Sequence, residues 1–472
     1  MGGSLFGGLQ TALSALEAQQ AVLDTTAHNV ANVNTPGFAR QQVILQANPG
    51  TPSGLGQGAG PLIGNGVQVV DVQRVVSHFL NQQNWTTQGQ LSAATQDGQT
   101  LSQVQGVLNE PSSSGLNSTL SAFWNAWQNL GNNPQSMAAR QQVVSSGQSL
   151  ANGFSTIASS WTSLQGSLNS AVGQDAQKVT TLASQIATLN GQIAVTQAGG
   201  QSANDLKDTR DQLVSELAQY VPVNVAQSSG GMVNVSVGSV QLVAGQHAGQ
   251  LVATADSANH GYYALTWNGA TGIPATLGAS GGILGALVHL RDQVIPGYTA
   301  QLNTLASDVA TAVNKAQASG YSMDGTVTGL PFFVASNGGA ITASTLEVNP
   351  TLVSTPADVA AASAPYQGPG DGSNAQAIGN LANASIVGGT TATDAYSALV
   401  GQIGSDTSTA NSSQSNLQAL QTSIQQQQQS VSGVSINSEM TRMVQAQNAY
   451  AAAAKLSSTI DQMLGDLISM VQ

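Results

Sequence analysis

A short glycine-rich pattern matches a nucleophile motif. Residues Gly278 to Gly282 read Gly-Ala-Ser-Gly-Gly, which fits the G-x-S-x-G turn that exposes a catalytic serine between a strand and a helix. A hydrolase of this kind also needs an Asp and then a His further along the chain, and His289 is the only histidine after Ser280. A chain with 52 glycines produces such a short pattern by chance. The sequence therefore predicts no enzyme.

Metal and phosphate chemistry are equally unsupported. The histidines His28, His78, His247, His260 and His289 lack zinc-site spacing, and no acidic cluster resembles a calcium loop. Cysteine is absent, which removes disulfides, thiolate ligands and cysteine nucleophiles. Gly54, Gly56, Gly58 and Gly60 lack both the preceding strand and the following lysine of a phosphate loop. We expect a hinge there, and no metal or cofactor.

Composition narrows the possible partners. The chain of 472 residues is 41% hydrophobic but only 7% charged, with a net charge of −12 and no cluster of Lys and Arg, which argues against nucleic acid. No apolar run approaches the roughly 20 residues of a membrane span, so no membrane insertion is expected. The first thirty residues lack the basic and apolar regions of a cleaved signal. Targeting signals alone predict a cytoplasmic protein.

Both ends of the chain carry apolar residues at alternating three- and four-residue steps, the pattern of a coiled-coil seam. The N-terminal stripe comprises Phe6, Leu9, Leu13, Leu16, Gln20, Leu23, Ala27 and Val30. The C-terminal stripe comprises Leu456, Ile460, Met463, Leu467 and Met470. Each stripe could simply pack on its own core, but two similar stripes at opposite termini favour docking of one terminal helix on the other or packing between subunits.

The first helix must stop before Pro36, because the residue before a proline is pushed out of the helical region. Val43 to Leu45 then form a short extended segment, and the Gly- and Pro-rich stretch from Asn48 to Gly66 is predicted to be a joint. Ser432-Gly433 marks the start of the terminal helix. These breaks separate a terminal-helix domain, residues 1–47 and 430–472, from the rest.

The interior reads as long helices with one β-rich portion. Residues 75–220 show helical periods, including a heptad register at Val172, Val179, Leu182, Ile186, Leu189 and Ile193. Residues 221–268 alternate with a period of two, as in Val233, Val235 and Val237, which predicts a small antiparallel sheet. A further helix spans about 283–318, and helical signal returns from Asp394. The fold class is therefore mainly α with a small β portion (α+β), with a helical-bundle body at 48–320 and 391–429. Residues 321–390 are expected to be a loop-rich insert.

Several segments resemble proteins of the bacterial flagellar axis. Residues 28–40 (HNVANVNTPGFAR) resemble the Asn-rich, Thr-Pro-Gly-aromatic motif of rod, hook and hook-associated proteins, and residues 432–463 resemble their C-terminal helix. Residues 205–216 (DLKDTRDQLVSE), 281–284 (GGIL) and 394–404 (DAYSALVGQIG) are similar to the hook-associated protein 1 family. Hook protein has a largely β body, which the helices of residues 75–220 contradict.

This resemblance implies a structural subunit at the junction between hook and filament, whose terminal helices pack into an axial tube. It also implies export through the flagellar type III channel without a cleaved signal, and hence an extracellular place in the flagellum. The implied partners are a ring of its own copies, the hook protein, the next hook-associated protein at the filament side, and a cytosolic export chaperone on the C-terminal helix. The insert is too short for the outer β domain that some members carry.

The resemblance and the stripes together predict an assembly interface. Its residues are Leu9, Leu13, Leu16, Leu23, Asn29, Asn32, Asn34, Pro36, Gly37, Phe38, Glu439, Met440, Gln447, Tyr450, Ile460, Asp461, Met463 and Leu467. Local turn bonding explains most of the role of the three asparagines, and Phe38 and Tyr450 are packing anchors between helices. The alternatives are another axial subunit of rod or hook, or a type III secreted adhesin or translocator. A translocator would need an apolar hairpin, which is missing.

Overall fold

The computed structural model describes residues 2–49, 51–52, 62–267, 273–274, 277–365 and 370–470. Helices form most of these ranges, as the apolar periods predicted. Their bounds are α1 Gly2–Ala31, α2 His78–Leu108, α3 Leu116–Asn132, α4 Met137–Ala198, α5 Asn204–Tyr220, α6 Gly282–His289, α7 Ile295–Ser319, α8 Pro350–Ser354, α9 Ser373–Gly379, α10 Ala392–Ser432 and α11 Ile436–Ser469.

The strands are short, and every pairing among the described residues is antiparallel. Their bounds are β1 Gln41–Ala47, β2 Thr51–Pro52, β3 Leu62–Ile63, β4 Val67–Arg74, β5 Val223–Gln227, β6 Val233–Val237, β7 Val240–Ala244, β8 His247–Ala248, β9 Leu251–Ala255, β10 Tyr263–Trp267, β11 Ile273–Pro274, β12 Phe333–Ala335 and β13 Leu346–Val348. The sheets are β1-β4, β2-β3, β5-β6-β7-β8, β9-β10-β11 and β12-β13. The predicted mainly α fold with a small β portion is confirmed.

The long helix α4 is the spine of the body. The predicted heptad stripe faces the core, with Val172, Val179, Ile186 and Ile193 fully buried. Serine side chains begin two of the bundle helices, because the hydroxyl of Ser77 accepts the N–H of Leu80 and that of Ser136 accepts the N–H of Ala139. Together α2, α3, α4 and α5 share one core with the sheets beside them.

The β portion lies along the second half of α4 as two sheets, where the sequence predicted one. Val233, Val235 and Val237 of β6 turn inward with the expected period of two. Asn190 on α4 donates to the carbonyl oxygens of Val233 (2.8 Å) and Gly245 (2.7 Å), which holds the first sheet. The second sheet starts anew because the N–H of Leu251 donates to the hydroxyl of Thr180 on α4 (3.0 Å) instead of continuing the first ladder.

The predicted helix at 283–318 is interrupted by one wider turn. Residues Leu290–Val294 form a π-helical turn between α6 and α7. Pro296 follows in the first turn of α7 and has no N–H to donate, so the regular bonding pattern cannot run through this point. The wider turn absorbs this break, and the helical direction continues into α7.

The segment 321–390 was predicted to be loop-rich, and its elements are short, but it is part of the core. Phe332 and Phe333 are buried, and their rings lie 5.7 Å and 5.6 Å from that of Phe123 on α3. The ring of Phe332 also lies 5.3 Å from that of Trp127. This stretch of the segment therefore belongs to the core of the body, because two adjacent aromatics fill a gap between the helices. Residues 366–369 of this segment lie outside the described residues.

Two connections join the body to the terminal helices. At the N-terminal side α1 leads through a turn into the hairpin of β1 and β4, and most of the predicted joint at 48–66 lies outside the described residues. At the C-terminal side α10 runs along α2, where Gln421 donates to Asn84 (2.7 Å) and Gln428 donates to Asn81 (2.9 Å). As predicted, the helix ends at Ser432, and α11 begins after Gly433.

Candidate assembly interface

The two terminal helices pack against each other in antiparallel orientation. Gly8 lies beside Ile460, where an added Cβ would meet Cδ1 of Ile460 at 3.2 Å. Asn29 bonds to Glu439, and the spacing from Gly8 to Asn29 equals that from Glu439 to Ile460. The pair therefore keeps one register along its length, as a coiled coil does.

The face that α1 turns inward is made of small and polar residues. Its buried positions are Ala12, Ala18, Thr26 and Asn29. The buried positions of α11 recur at heptad spacing and are Glu439, Ala446, Ala453 and Ile460. Small side chains allow the two helices to approach closely, and the large apolar residues of α1 are left for other faces.

A buried polar contact sets the register near the body. Asn29 is 1% exposed, and its Nδ2 donates to the carboxylate of Glu439 (3.0 Å) and to the carbonyl oxygen of Gln41 (2.8 Å), while its Oδ1 accepts the N–H of Gln41 (2.9 Å). Arg442 donates to the other oxygen of Glu439 (3.2 Å). Because this buried polar group finds its hydrogen-bond partners in a single alignment of the two helices, all other alignments are disfavoured.

The turn after α1 is fastened to α5 of the body. The carboxylate of Asp208 accepts the N–H of Ala39 (3.1 Å) and pairs with Arg74 of β4 (2.6 Å), and Arg74 also reaches Asp211 (3.0 Å). Burial raises the pKa of Asp208, and the positive charge of Arg74 opposes this rise. Two backbone bonds close the same region, from the N–H of Arg40 to Ser432 (2.9 Å) and from the N–H of Val75 to Arg40 (2.8 Å).

We call this set of contacts the polar junction, defined by Ala39, Arg40, Arg74, Asp208 and Asp211. At its edge Asp205 meets Nε2 of His28 (3.3 Å) and Nε2 of Gln41 (2.8 Å). Sequence reasoning singled out residues 205–216 as a resemblance only and missed their part in this junction. The usable signal was the acidic spacing at Asp205, Asp208 and Asp211, which puts three carboxylates near one side of a helix.

The other predicted residues of the N-terminal motif lie at the outside of the turn. Asn32 donates to the carbonyl oxygen of His28 (3.0 Å) and ends the helix, as local turn bonding predicts. The same prediction is wrong for Asn29, which bonds to Glu439 and Gln41 instead. Asn34, Pro36 and Gly37 are exposed, and Gly37 has a φ of +79° that favours glycine. Phe38 is half-buried with its ring 5.5 Å from that of His28.

The predicted N-terminal stripe is not the buried face of α1. Leu13 is 48% exposed and Phe6 64% exposed, while Leu9, Leu16 and Leu23 are half-buried. Of the two alternatives for this stripe, docking on the other terminal helix does not hold, because small and polar residues occupy the buried face of α1, and packing between subunits stays a prediction. We call Phe6, Leu9, Leu13, Leu16 and Leu23 the open stripe.

The predicted residues of α11 are divided between the two environments. Glu439 and Ile460 are buried against α1, and Leu467 is half-buried. Met440, Tyr450 and Met463 are 47%, 38% and 43% exposed, and Gln447 and Asp461 are exposed as well. The terminal pair thus presents large apolar side chains to its surroundings along both helices, which marks an interaction surface.

The patterns considered for other chemistry find no support in the described geometry. Ser280 is exposed in a turn before α6 and follows no parallel strand, since the described sheets are all antiparallel. Within the described ranges, no group of three or more His, Asp or Glu side chains is placed to hold a metal ion. No described helix has the length and apolarity needed to cross a membrane.

The two terminal helices and the body between them match models of flagellar proteins. Residues 9–38 match the model of the flagella basal body rod protein, and residues 425–470 match the C-terminal model of the flagellar basal body rod FlgEFG proteins. Between them, residues 101–333 match the helical domain of flagellar hook-associated protein FlgK.

The chain belongs to the flagellar hook-associated protein 1 family. It is 31% identical to flagellar hook-associated protein 1 of Bacillus subtilis, over 99% of this chain and 98% of the relative. It is 30% identical to the protein of that name from Salmonella typhimurium, over 97% and 99%. The fold is similar to that of the flagellar hook junction protein FlgK from Burkholderia pseudomallei, with a TM-score of 0.66 at 20% identity, over 74% of this chain and all of that one.

Proposed function

We propose that this chain is a structural, non-enzymatic subunit that forms the junction between hook and filament, on which the filament assembles. The observation that carries the proposal is the open stripe on a helix whose other large face is already paired. Phe6 and Leu13 of this stripe are exposed and its other three residues are half-buried, and packing against another helix would remove their remaining apolar surface from water, which is favourable.

The terminal pair is built to add to an axial tube. Its inner seam and the polar junction use contacts within the chain, so the open stripe and the exposed apolar residues of α11, such as Met440 and Met463, remain for neighbouring subunits. Helices of neighbouring subunits that each carry a continuous apolar face can pack side by side at the crossing angles seen in helical bundles. We infer a ring of copies of this chain with the terminal pairs innermost.

The remaining partners follow from the family. We infer contacts with the hook protein on one side and with the next hook-associated protein on the filament side. Export through the flagellar type III channel, without a cleaved signal, brings the chain outside the cell. Before export, a cytosolic chaperone on α11 would cover apolar residues such as Met440, Val444 and Met463, which are 47%, 51% and 43% exposed.

The test is a deletion of the gene followed by electron microscopy, motility measurement and an assay of flagellin in the medium. Complete hooks without filaments, together with monomeric flagellin outside the cell, are the expected result. Missing hooks would instead assign the chain to the rod or hook, whose family models match its two ends. Normal filaments would refute a flagellar role.

A further inference from the structure

The hairpin of β1 and β4 carries apolar side chains that the described chain leaves partly exposed. Leu45 and Val69 stand directly opposite each other on the two strands and are 40% and 38% exposed. Val70 lies in the irregular position beside them and is 53% exposed. The hairpin is held by α1 and α5, but its exposed apolar residues form a patch that marks an interaction surface.

The hairpin and the open stripe lie on nearly opposite sides of α1. The N–H of Val67 donates to the hydroxyl of Ser14 (3.3 Å), and a Cβ on the neighbouring Gly66 would lie 3.2 Å from Cα of Thr11. Leu9 and Leu13 are each two residues from Thr11, which on an α-helix is roughly 160° around the axis. One terminal unit therefore shows two different apolar patches that cannot meet within the same molecule.

The two patches also lie at similar heights along the axis. Leu13 sits between Thr11 and Ser14, the residues that contact the end of the hairpin. Val69 is two residues further along the strand from Val67, a distance of roughly 7 Å. A second copy placed beside the first with little axial shift would bring its open stripe against Leu45, Val69 and Val70.

Charge favours the same arrangement. The sequence contains no Lys or Arg before Arg40 and none between Arg40 and Arg74, and Asp71 is the only acidic residue of the hairpin region. Arg74 is paired with Asp208 and Asp211, so a partner with a strongly charged surface would find only Asp71 as a counter-charge on this hairpin, whereas the open stripe of a second copy matches the patch in polarity. Unlike patches on opposite sides of one subunit generate head-to-tail contacts, which close into rings or extend into helical tubes.

We propose that the outer face of the β1-β4 hairpin, at Leu45, Val69 and Val70, is the surface that receives the open stripe of a second copy of this chain. This inference rests on the proposed function, because the ring of copies supplies the occupant. It assigns the hairpin a role in assembly, beyond connecting α1 to the body.

Cysteine cross-linking tests the contact directly, since the chain has no cysteine of its own. The full chain with both Leu13→Cys and Val69→Cys is expressed in cells, and isolated flagella are treated with a short bis-maleimide. The expected result is a ladder of dimers, trimers and higher species from the double variant and none from either single variant. Dimers from Leu13→Cys alone would overturn the proposal, because they would mean that two open stripes face each other. Filament-bearing flagella without a ladder would overturn it as well and leave the junction role intact.

A charge variant keeps the proposal testable if the double variant does not assemble. Val69→Asp is expected to reduce the number of filaments per cell at least tenfold, while Gln68→Asp, on the neighbouring exposed position, is expected to leave it unchanged. Circular dichroism of the purified chains checks that both variants fold alike. Equal filament numbers for the two variants would refute the hairpin contact. Cells that lack the chain and still grow normal filaments would refute the proposed function itself.

Discussion

Removing the carboxylate of Asp208 should loosen the terminal pair from the body. Asp208→Ala leaves the buried N–H of Ala39 without its acceptor, which costs about 1–3 kcal/mol. Arg74 loses its partner at 2.6 Å but keeps Asp211 at 3.0 Å. The loss of this ion pair therefore costs less than the about 3–5 kcal/mol of a buried pair in which one charge is left without any partner. Burial raises the pKa of Asp208, which means that burying its charge is unfavourable. The alanine variant no longer bears this desolvation penalty, which offsets some of the loss.

These contributions leave a net loss of about 2–3 kcal/mol in the free energy of opening the junction, or roughly a 50-fold larger opening equilibrium. Two amides report it without being altered themselves, because the N–H groups of Arg40 and Val75 donate to backbone oxygens that the substitution leaves in place. Native-state hydrogen exchange of these amides should therefore become roughly 50-fold faster.

The matched control is Glu216→Ala on the same helix. Glu216 pairs with Lys178 at 2.9 Å, but both side chains are well exposed, 38% and 45%, so the loss should be below about 1 kcal/mol and should not reach the junction. Unchanged exchange at Arg40 and Val75 in Asp208→Ala would refute the reasoning. Equal acceleration in both variants would show that α5 responds as a whole helix, and it would contradict a specific junction at Asp208.

Three further outcomes are expected. Ile460 is 4% exposed, so Ile460→Ala should weaken the packing of α1 on α11 by about 2–5 kcal/mol. Met463 is 43% exposed, so Met463→Ala should destabilise the monomer by less than about 1 kcal/mol. Hydrogen exchange along α11 measures both effects, and equal effects would contradict the assigned packing of α11 on α1. Burial raises the pKa of Asp97 to about 6, with nearby His289 opposing, so its contribution to stability is greatest below about pH 4 and is lost as the pH rises through 6. Asp97→Asn should therefore raise Tm by about 2 °C at pH 7.5 and by less at pH 4.5. Asp461→Asn is the control at an exposed position. A larger gain in Tm at pH 4.5 than at pH 7.5 would contradict the predicted pH dependence. Amides of α1 and α11 should exchange at least tenfold more slowly in assembled junctions than in the monomer, and equal protection would count against ordering on assembly.

The parts of the fold that sequence periodicity could predict are those where one face meets a single large core. The heptad stripe of α4 is buried as predicted, because a helix surrounded by the body has no other place for Val172 or Ile186. The period of two in β6 identified the inward valines for the same reason. The break at Ser432-Gly433 was visible because the Ser-Gly pair is a turn signal, whereas isolated glycines such as Gly401 are tolerated inside α10.

Periodicity could not identify which face of α1 meets α11. The pattern shows that Leu9, Leu13 and Leu16 share a side of the helix, but it does not say whether the partner belongs to the same chain. Ala12 and Asn29 define the inner seam, and both are residues that hydrophobicity scales rank below leucine. Asp208 and Arg74 are 134 residues apart, so their pairing was not visible to any local pattern.

The way α1 divides its faces bears on how assembly is driven. If the leucines of the open stripe packed against α11, the monomer would bury its most apolar helix face. Little apolar surface on α1 would then remain for contact with a neighbouring subunit. Alanines and the Asn29–Glu439 contact hold α1 and α11 together instead. These contacts fix the register of the two helices without burying the large apolar side chains of the open stripe. Each large apolar side chain of the open stripe then contributes up to about 1.5–3 kcal/mol when a neighbour covers it, a gain that appears only in the assembled state. Under the proposed function, the free energy that drives assembly comes from side chains that the single chain leaves exposed or half-buried.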